Sequence, residues 1–405
     1  MPDAQPPLPQ DPPEDAGAGR RYARVQYRLF WVELATGLAY CLALQASGAS
    51  EALARWWEAR MPHPALSLAG WLLVAGAGYA LCLLPSTVIA GYVVPKRFGL
   101  LRLSLPAWIH RALKRAAFSW GIAFVMIEGF YAIVRTAGSA WPAMAATGWL
   151  SVSVLMLWAF PALILPRFYP TTPVREPEVL ERLLGLCRRI GVPVVGVSRF
   201  ALGVETRKAN AMLAGLGRTR RVYVSDTLLE GFPLDEVEAV LAHEMGHHRL
   251  RHIPKFLALA AAGTGAGVAL TALVAPWGVS RFGLRGLADP AGAPALALWM
   301  SALWLLMRPA QLAFSRRCEW QADRFALRHA APAAFTSALE RLGGLNLADP
   351  SPPAWARWLL YSHPPIRERI SAARRGGLDT PAARLASTPS ARGNPGGGSG
   401  VESGG

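Results

Sequence analysis

The chain has 405 residues, 52% hydrophobic and only 17% charged, with 15 tryptophans and a formal net charge of +16. This composition speaks against an ordinary soluble domain. The basic residues gather in short loops beside apolar runs, which is the positive-inside pattern of a polytopic membrane protein and not the footprint of a nucleic-acid binder. Cys41, Cys82, Cys187 and Cys318 stand far apart with no CxxC pair, so they read as small hydrophobes and not as a disulfide framework or a cysteine zinc site.

Residues 1–24 read as an N-terminal tail, its first 20 positions rich in Pro, Asp, Gln and Gly with little to bury. No basic-then-apolar start is present, so no cleavable signal peptide is expected. Four apolar segments follow, at residues 29–46, 66–94, 117–134 and 145–165, and make up a transmembrane region over residues 25–168. Pro85 is expected to kink the second segment. Glu33 and Glu128 lie inside the first and third, where they should face the bundle interior or water as polar contacts. Two further segments, residues 256–275 and 294–312, bring the count of spans to six. Arg20, Arg21, Arg24 and Arg28 precede the first, and Lys96, Arg97, Arg102, Arg111, Lys114 and Arg115 lie between the second and third. That bias predicts a multi-pass protein of the cell (inner) membrane with both termini in the cytoplasm. Residues 166–255 and everything beyond about Met307 then meet on the cytoplasmic side.

Residues 169–375 read as a metallopeptidase domain that includes the last two spans. An amphipathic helix is expected over residues 177–190, with Val179, Leu180, Leu183, Leu184 and Leu186 as its apolar positions. Strands are expected over 192–200, 210–213 and 221–224, the second ending in a turn at Gly215-Leu216-Gly217. A small sheet of this kind can take up an extended peptide as an added strand. The stretch Ala242-His243-Glu244-Met245-Gly246-His247-His248 contains HExxH. On a helix its two histidines share a face, so His243 and His247 can hold one metal while Glu244 reaches the attacking water as general base. Asp235 and Glu238 form the pattern of a capping box, and Val237, Val240 and Leu241 supply the apolar stripe ahead of the histidines. A catalytic zinc takes a third protein ligand, for which Glu319 just beyond the sixth span is the best candidate. Asp323, one turn on, can orient a ligating histidine. Residues 376–405 turn to Gly, Ser, Pro and Ala and read as a disordered tail.

In their order along the chain these blocks resemble the integral-membrane zinc metallopeptidases that comprise the type 1 CAAX prenyl proteases and the HtpX heat-shock proteases. The resemblance runs through Asn210-Ala211, Arg220-Arg221-Val222, Asp226-Thr227-Leu228-Leu229 and His243 to His247. It continues with Arg251-His252-Ile253-Pro254, Ser315-Arg316 to Glu319, Ala322-Asp323 and Ser362-His363-Pro364-Pro365 with Arg369. It is strong over residues 170–372 and fainter around Arg97-Phe98-Gly99-Leu100. It implies His243, His247 and Glu319 as ligands of one Zn2+ per chain, Glu244 as the base and Asp323 as the residue behind a ligand. It also implies Asn210 near the substrate strand, and His363 and Arg369 as catalytic residues lining the cleft. His248 and His252 are rotated or displaced from the ligands along a continued helix and read as non-ligands. The prenyl proteases have seven spans and the HtpX proteases four, whereas six are counted here.

The fold class expected is mainly α: a polytopic helical membrane protein of about six transmembrane helices with a cytoplasmic α+β, zincin-like metalloprotease domain carrying a small sheet. The function expected is that of a membrane-embedded zinc-dependent endopeptidase whose partners are polypeptide substrates, above all membrane proteins at the cytoplasmic face, and the surrounding membrane lipids. A CAAX-type prenyl endopeptidase is the first alternative. A non-catalytic scaffold or transporter with a structural zinc site is the second, and the intact Glu244 argues against it, because a structural site needs ligands but no base.

Overall fold

The computed structural model describes residues 17–215 and 219–378, so both expected tails and part of the 215–217 turn fall outside it. Among the described residues, six helices are long and apolar enough to cross a membrane. The first half of the chain supplies four of them. Helix α1 (Ala18–Ala46) is followed by a short amphipathic helix α2 (Ala49–Arg60). Next, α3 (Pro64–Val88) runs through a π turn at Ile89–Val93 into α4 (Val94–Arg97). Then come α5 (Leu105–Thr136) and α6 (Trp141–Ala159), the latter passing through a second π turn at Phe160–Ile164 into α7 (Leu165–Phe168). Pro85 is accommodated inside α3, and the departure from α geometry comes a turn later. Both π turns stop one residue short of a proline, Pro95 or Pro166, whose missing N–H leaves the next α-type bond unmade. Leu73, Leu81, Val125, Leu273 and Leu306 are 68–76% exposed, a placement that suits hydrocarbon and not water.

Strand β1 (Thr171–Pro173) and helix α8 (Pro177–Ile190) open the second half. Strands β2 (Val197–Phe200), β3 (Ala211–Ala214) and β4 (Arg221–Ser225) follow. The sheet has the order β1-β2-β4-β3, with β2 parallel to β4 and the other pairs antiparallel, so β3 is an edge. The strand expected from residue 192 begins only at Val197, because Pro193 and the turn at Gly196 precede it. Short α9 (Asp226–Gly231) leads into α10 (Leu234–Arg249), the helix of the HExxH stretch. The expected capping box does not form: Pro233 is the cap, and Glu238 turns instead to Arg182 and Arg189 of α8. Leu183 and Leu186 of α8, Val222 and Val224 of β4, Val237, Leu241 and Met245 of α10 and Phe335 share one buried core. Each such side chain contributes about 1.5–3 kcal/mol by leaving water.

The last two spans are α11 (His252–Arg281) and α12 (Ala293–His329). The latter is one helix of 37 residues that starts in the membrane segment and ends in the peptidase region. Helices α13 (Pro332–Leu345), α14 (Ala354–Leu359) and α15 (Ile366–Leu378) wrap back over α10 and α12. At the opposite end of the bundle α2 packs on the α11–α12 connection. There Arg55 pairs with the buried Asp289 at 2.9 Å, and Arg285 joins Asp289 to Glu58. Between the spans lies a cavity of about 1030 Å³ walled by all six, almost wholly apolar, with Glu33 and Gln311 among its few polar groups.

Candidate metal centre

Helix α10 places the Nε2 atoms of His243 and His247 3.2 Å apart. Gly246 between them allows α12 to come close, since a Cβ there would lie 3.2 Å from the Ala322 Cα and from Phe325. That approach delivers Glu319. Its Oε2 is 3.3 Å from His243 Nε2 and its Oε1 3.5 Å from His247 Nε2. Three ligands of a tetrahedral zinc, with bonds of 2.0–2.1 Å, stand about 3.3 Å from one another. Glu319 Oε2 is buried and, among the described residues, has no hydrogen-bond donor, an expensive position unless a cation completes it. The donor set and its spacing therefore fit a metal ion of the zinc type.

Asp323, on the same face of α12, sits 2.9 Å from His243 Nδ1. Arg369 of α15 binds it through two hydrogen bonds, from Nε at 2.8 Å and from a terminal nitrogen at 2.6 Å. The expected site residues Asp323 and Arg369 are thus a buried ion pair behind the first histidine, and Arg369 meets the cluster through Asp323. His363 Nε2 lies 3.3 Å from Glu319 Oε1 on the open side, with its side chain 58% exposed and its Nδ1 2.9 Å from Ser362 Oγ. Burial raises the Glu244 carboxyl to about 7. Burial, with His243 beside it, lowers His247 to about 3, which leaves its imidazole in the neutral form a metal requires. Asn210 is exposed just before β3, its backbone paired with Ser225 and its side chain outside the cluster.

Neither His248 nor His252 joins the donor set, and each has another partner. His248 Nε2 is 2.8 Å from the Leu213 carbonyl, which ties α10 to the edge strand. His252 is fully buried against His247. Helical periodicity could not place it, because α10 stops at Arg249 and Arg251 takes a left-handed conformation (φ 57°) that turns the chain back. A basic residue in place of glycine at such a break gives no warning in the sequence.

The profile described as Peptidase family M48 matches residues 173–376. The chain belongs to peptidase family M48. A second profile, the CAAX prenyl protease N-terminal region with five membrane helices, matches residues 12–170 of this M48 protease, where the structure has four spans and the shorter α2. The Bacillus subtilis (strain 168) metalloprotease YhfN is 25% identical over 372 residues, covering 90% of this chain and 86% of that protein. The human CAAX prenyl protease 1 homolog is 25% identical over 353 residues, covering 75% and 72%. The yeast CAAX prenyl protease 1 is 27% identical over 171 residues, covering 42% and 38%. The crystal structure of S. mikatae Ste24p shares the fold with a TM-score of 0.78 at 22% identity, covering 90% of this chain and 92% of that one. This M48 chain is therefore a membrane metalloprotease of mainly helical, Ste24p-like fold.

Proposed function

We propose that the chain is a zinc endopeptidase in which His243, His247 and Glu319 hold one Zn2+ and Glu244 is the general base. The observation that carries this is the buried Glu319 carboxylate, whose two oxygens face one imidazole nitrogen each at zinc-like separations and whose Oε2 has no hydrogen-bond partner among the described residues. Zinc bound there supplies a Lewis acid and brings the pKa of water toward neutrality. Glu244 takes the proton of the attacking water and delivers it to the leaving amine, roles open to a carboxyl that stands next to the metal-facing His243 and is partly open to the cleft. Asp323, held by Arg369, orients His243. His363, beside Glu319 on the open side, donates to the carbonyl oxygen as charge develops on it. An extended substrate pairs with β3 next to Asn210, and such pairing reads backbone and not side chains. In this reading residues 25–168 are the membrane region and 169–375 the peptidase region, and the basic loops support a cytoplasmic site with both termini on the same side. The substrates are unfolded or partly extracted membrane proteins.

The apolar cavity favours one alternative, cleavage beside a lipid-modified cysteine, because a chamber of about 1030 Å³ walled by six spans can house a long hydrocarbon chain. The deciding experiment offers the purified protein unfolded membrane-protein fragments, prenylated CAAX peptides and the same peptides without the lipid. Cleavage of the fragments at varied sequences, lost in Glu244→Gln, is the expected result. If only prenylated peptides are cut, the prenyl endopeptidase takes its place.

A further inference from the structure

The two metal-facing histidines are held from behind by different chemistry. His243 has a carboxylate, Asp323, at its Nδ1. His247 instead has a second imidazole: its Nδ1 lies 3.0 Å from the Nδ1 of His252, whose Nε2 lies 3.0 Å from Gln321 Oε1. His252 is 0% exposed and opens α11, swung back onto α10 by the left-handed Arg251. A non-glycine residue in that conformation is strained, a cost that the contact it makes possible must offset.

We propose that His252 is a positioning residue that fixes the tautomer of His247, with Gln321 fixing the tautomer of His252 in turn. This rests on the assignment of His247 as a ligand. One proton occupies the space between the two Nδ1 atoms. If it sits on His252, the neutral His247 carries its hydrogen on Nε2 and has no lone pair for a metal. If it sits on His247, Nε2 is free to ligate, and neutral His252 carries its own hydrogen on Nε2, facing Gln321. The carbonyl oxygen of Gln321 accepts from that N–H, so it selects the ligating arrangement. Gln321 stands between Glu319 and Asp323 on α12, so one stretch of this helix supplies a ligand and the groups that orient both histidines.

The test is zinc affinity of the purified full-length protein, measured by competition with a chelator. His252→Phe keeps a ring of similar size without nitrogens and should weaken zinc by roughly 10–100-fold. His252→Asn restores an acceptor near the Nδ1 position and should stay close to wild type. Gln321→Met should weaken zinc as His252→Phe does, whereas Gln321→Glu, still an acceptor, should not. Unchanged affinity in both His252→Phe and Gln321→Met overturns the relay. So does loss in His252→Asn as complete as in His247→Ala, which would make His252 a ligand. If His252→Phe does not fold, the Gln321 pair decides, since His252 is intact there. A His247→Ala protein that keeps its zinc would refute the ligand assignment itself, a result distinct from all of these.

Discussion

Glu244 should cost the protein stability, and the cost should depend on pH in a definite direction. Burial raises its carboxyl from 4.5 to about 7. Between those values the folded chain keeps a proton that the unfolded chain gives up. Stability of the zinc-free protein therefore falls as pH rises through that window and stays lowered above it. The full difference amounts to at most about 3 kcal/mol, and because the side chain is partly open to the cleft, about 2 kcal/mol is the better figure. Glu244→Gln has no charge to bury. Without zinc it should be about 2 kcal/mol more stable than wild type at about pH 8 and equal to it at about pH 4. Denaturant unfolding in mixed micelles with a chelator, followed by the fluorescence of the 15 tryptophans, measures both. The other titrating groups cancel in the comparison. A difference that is absent at the higher pH, or the same at both, would show that Glu244 ionises without penalty and would refute the reasoning. The same substitution should lower proteolysis by a hundredfold to ten thousandfold, roughly the worth of a general base.

Ala at His243, His247 or Glu319 should remove most of the zinc, read as metal per chain after purification, and full retention in Glu319→Ala would put the third ligand elsewhere. Arg369→Met removes both hydrogen bonds that Arg369 gives the buried Asp323 and should destabilise by about 3 kcal/mol. Asp323→Asn in the same protein should recover much of that loss, and strictly additive costs would refute the pairing. Reporter fusions at Arg20 and Thr380 should both register cytoplasm, and a split result means an odd number of crossings. Asn210→Ala should slow turnover with zinc retained, and unchanged turnover of extended substrates would remove Asn210 from the substrate path.

Chemistry carried by short spacings was legible in the sequence. His243 and His247 are four apart, Glu319 and Asp323 are four apart, and a helix turns each pair onto one face. Hydropathy found the six spans but not their ends. Helix α5 begins at Leu105, twelve residues before the apolar run, because Arg111 and Arg115 extend it and pair with Glu205 from a distant strand connection. Helix α2 lies outside every apolar run and is fixed by Arg55 on Asp289, a contact 234 residues away. The capping box failed for the same reason, since tertiary partners on α8 outbid a local pattern. His252 was hidden by a backbone turn, and the cavity by the fact that a count of spans gives no volume.

Only Leu250 and Arg251 separate the end of α10 from the start of α11, and Glu319 belongs to the same continuous helix as the sixth span. No pair of scissions can therefore excise a water-soluble peptidase. Trimming the last two spans would leave the histidines on one fragment and the glutamate's helix on another, no longer joined by the chain. A cassette that could be cut out and grafted onto another anchor does not exist in this architecture, and any active preparation has to carry its bilayer-facing helices into detergent or lipid.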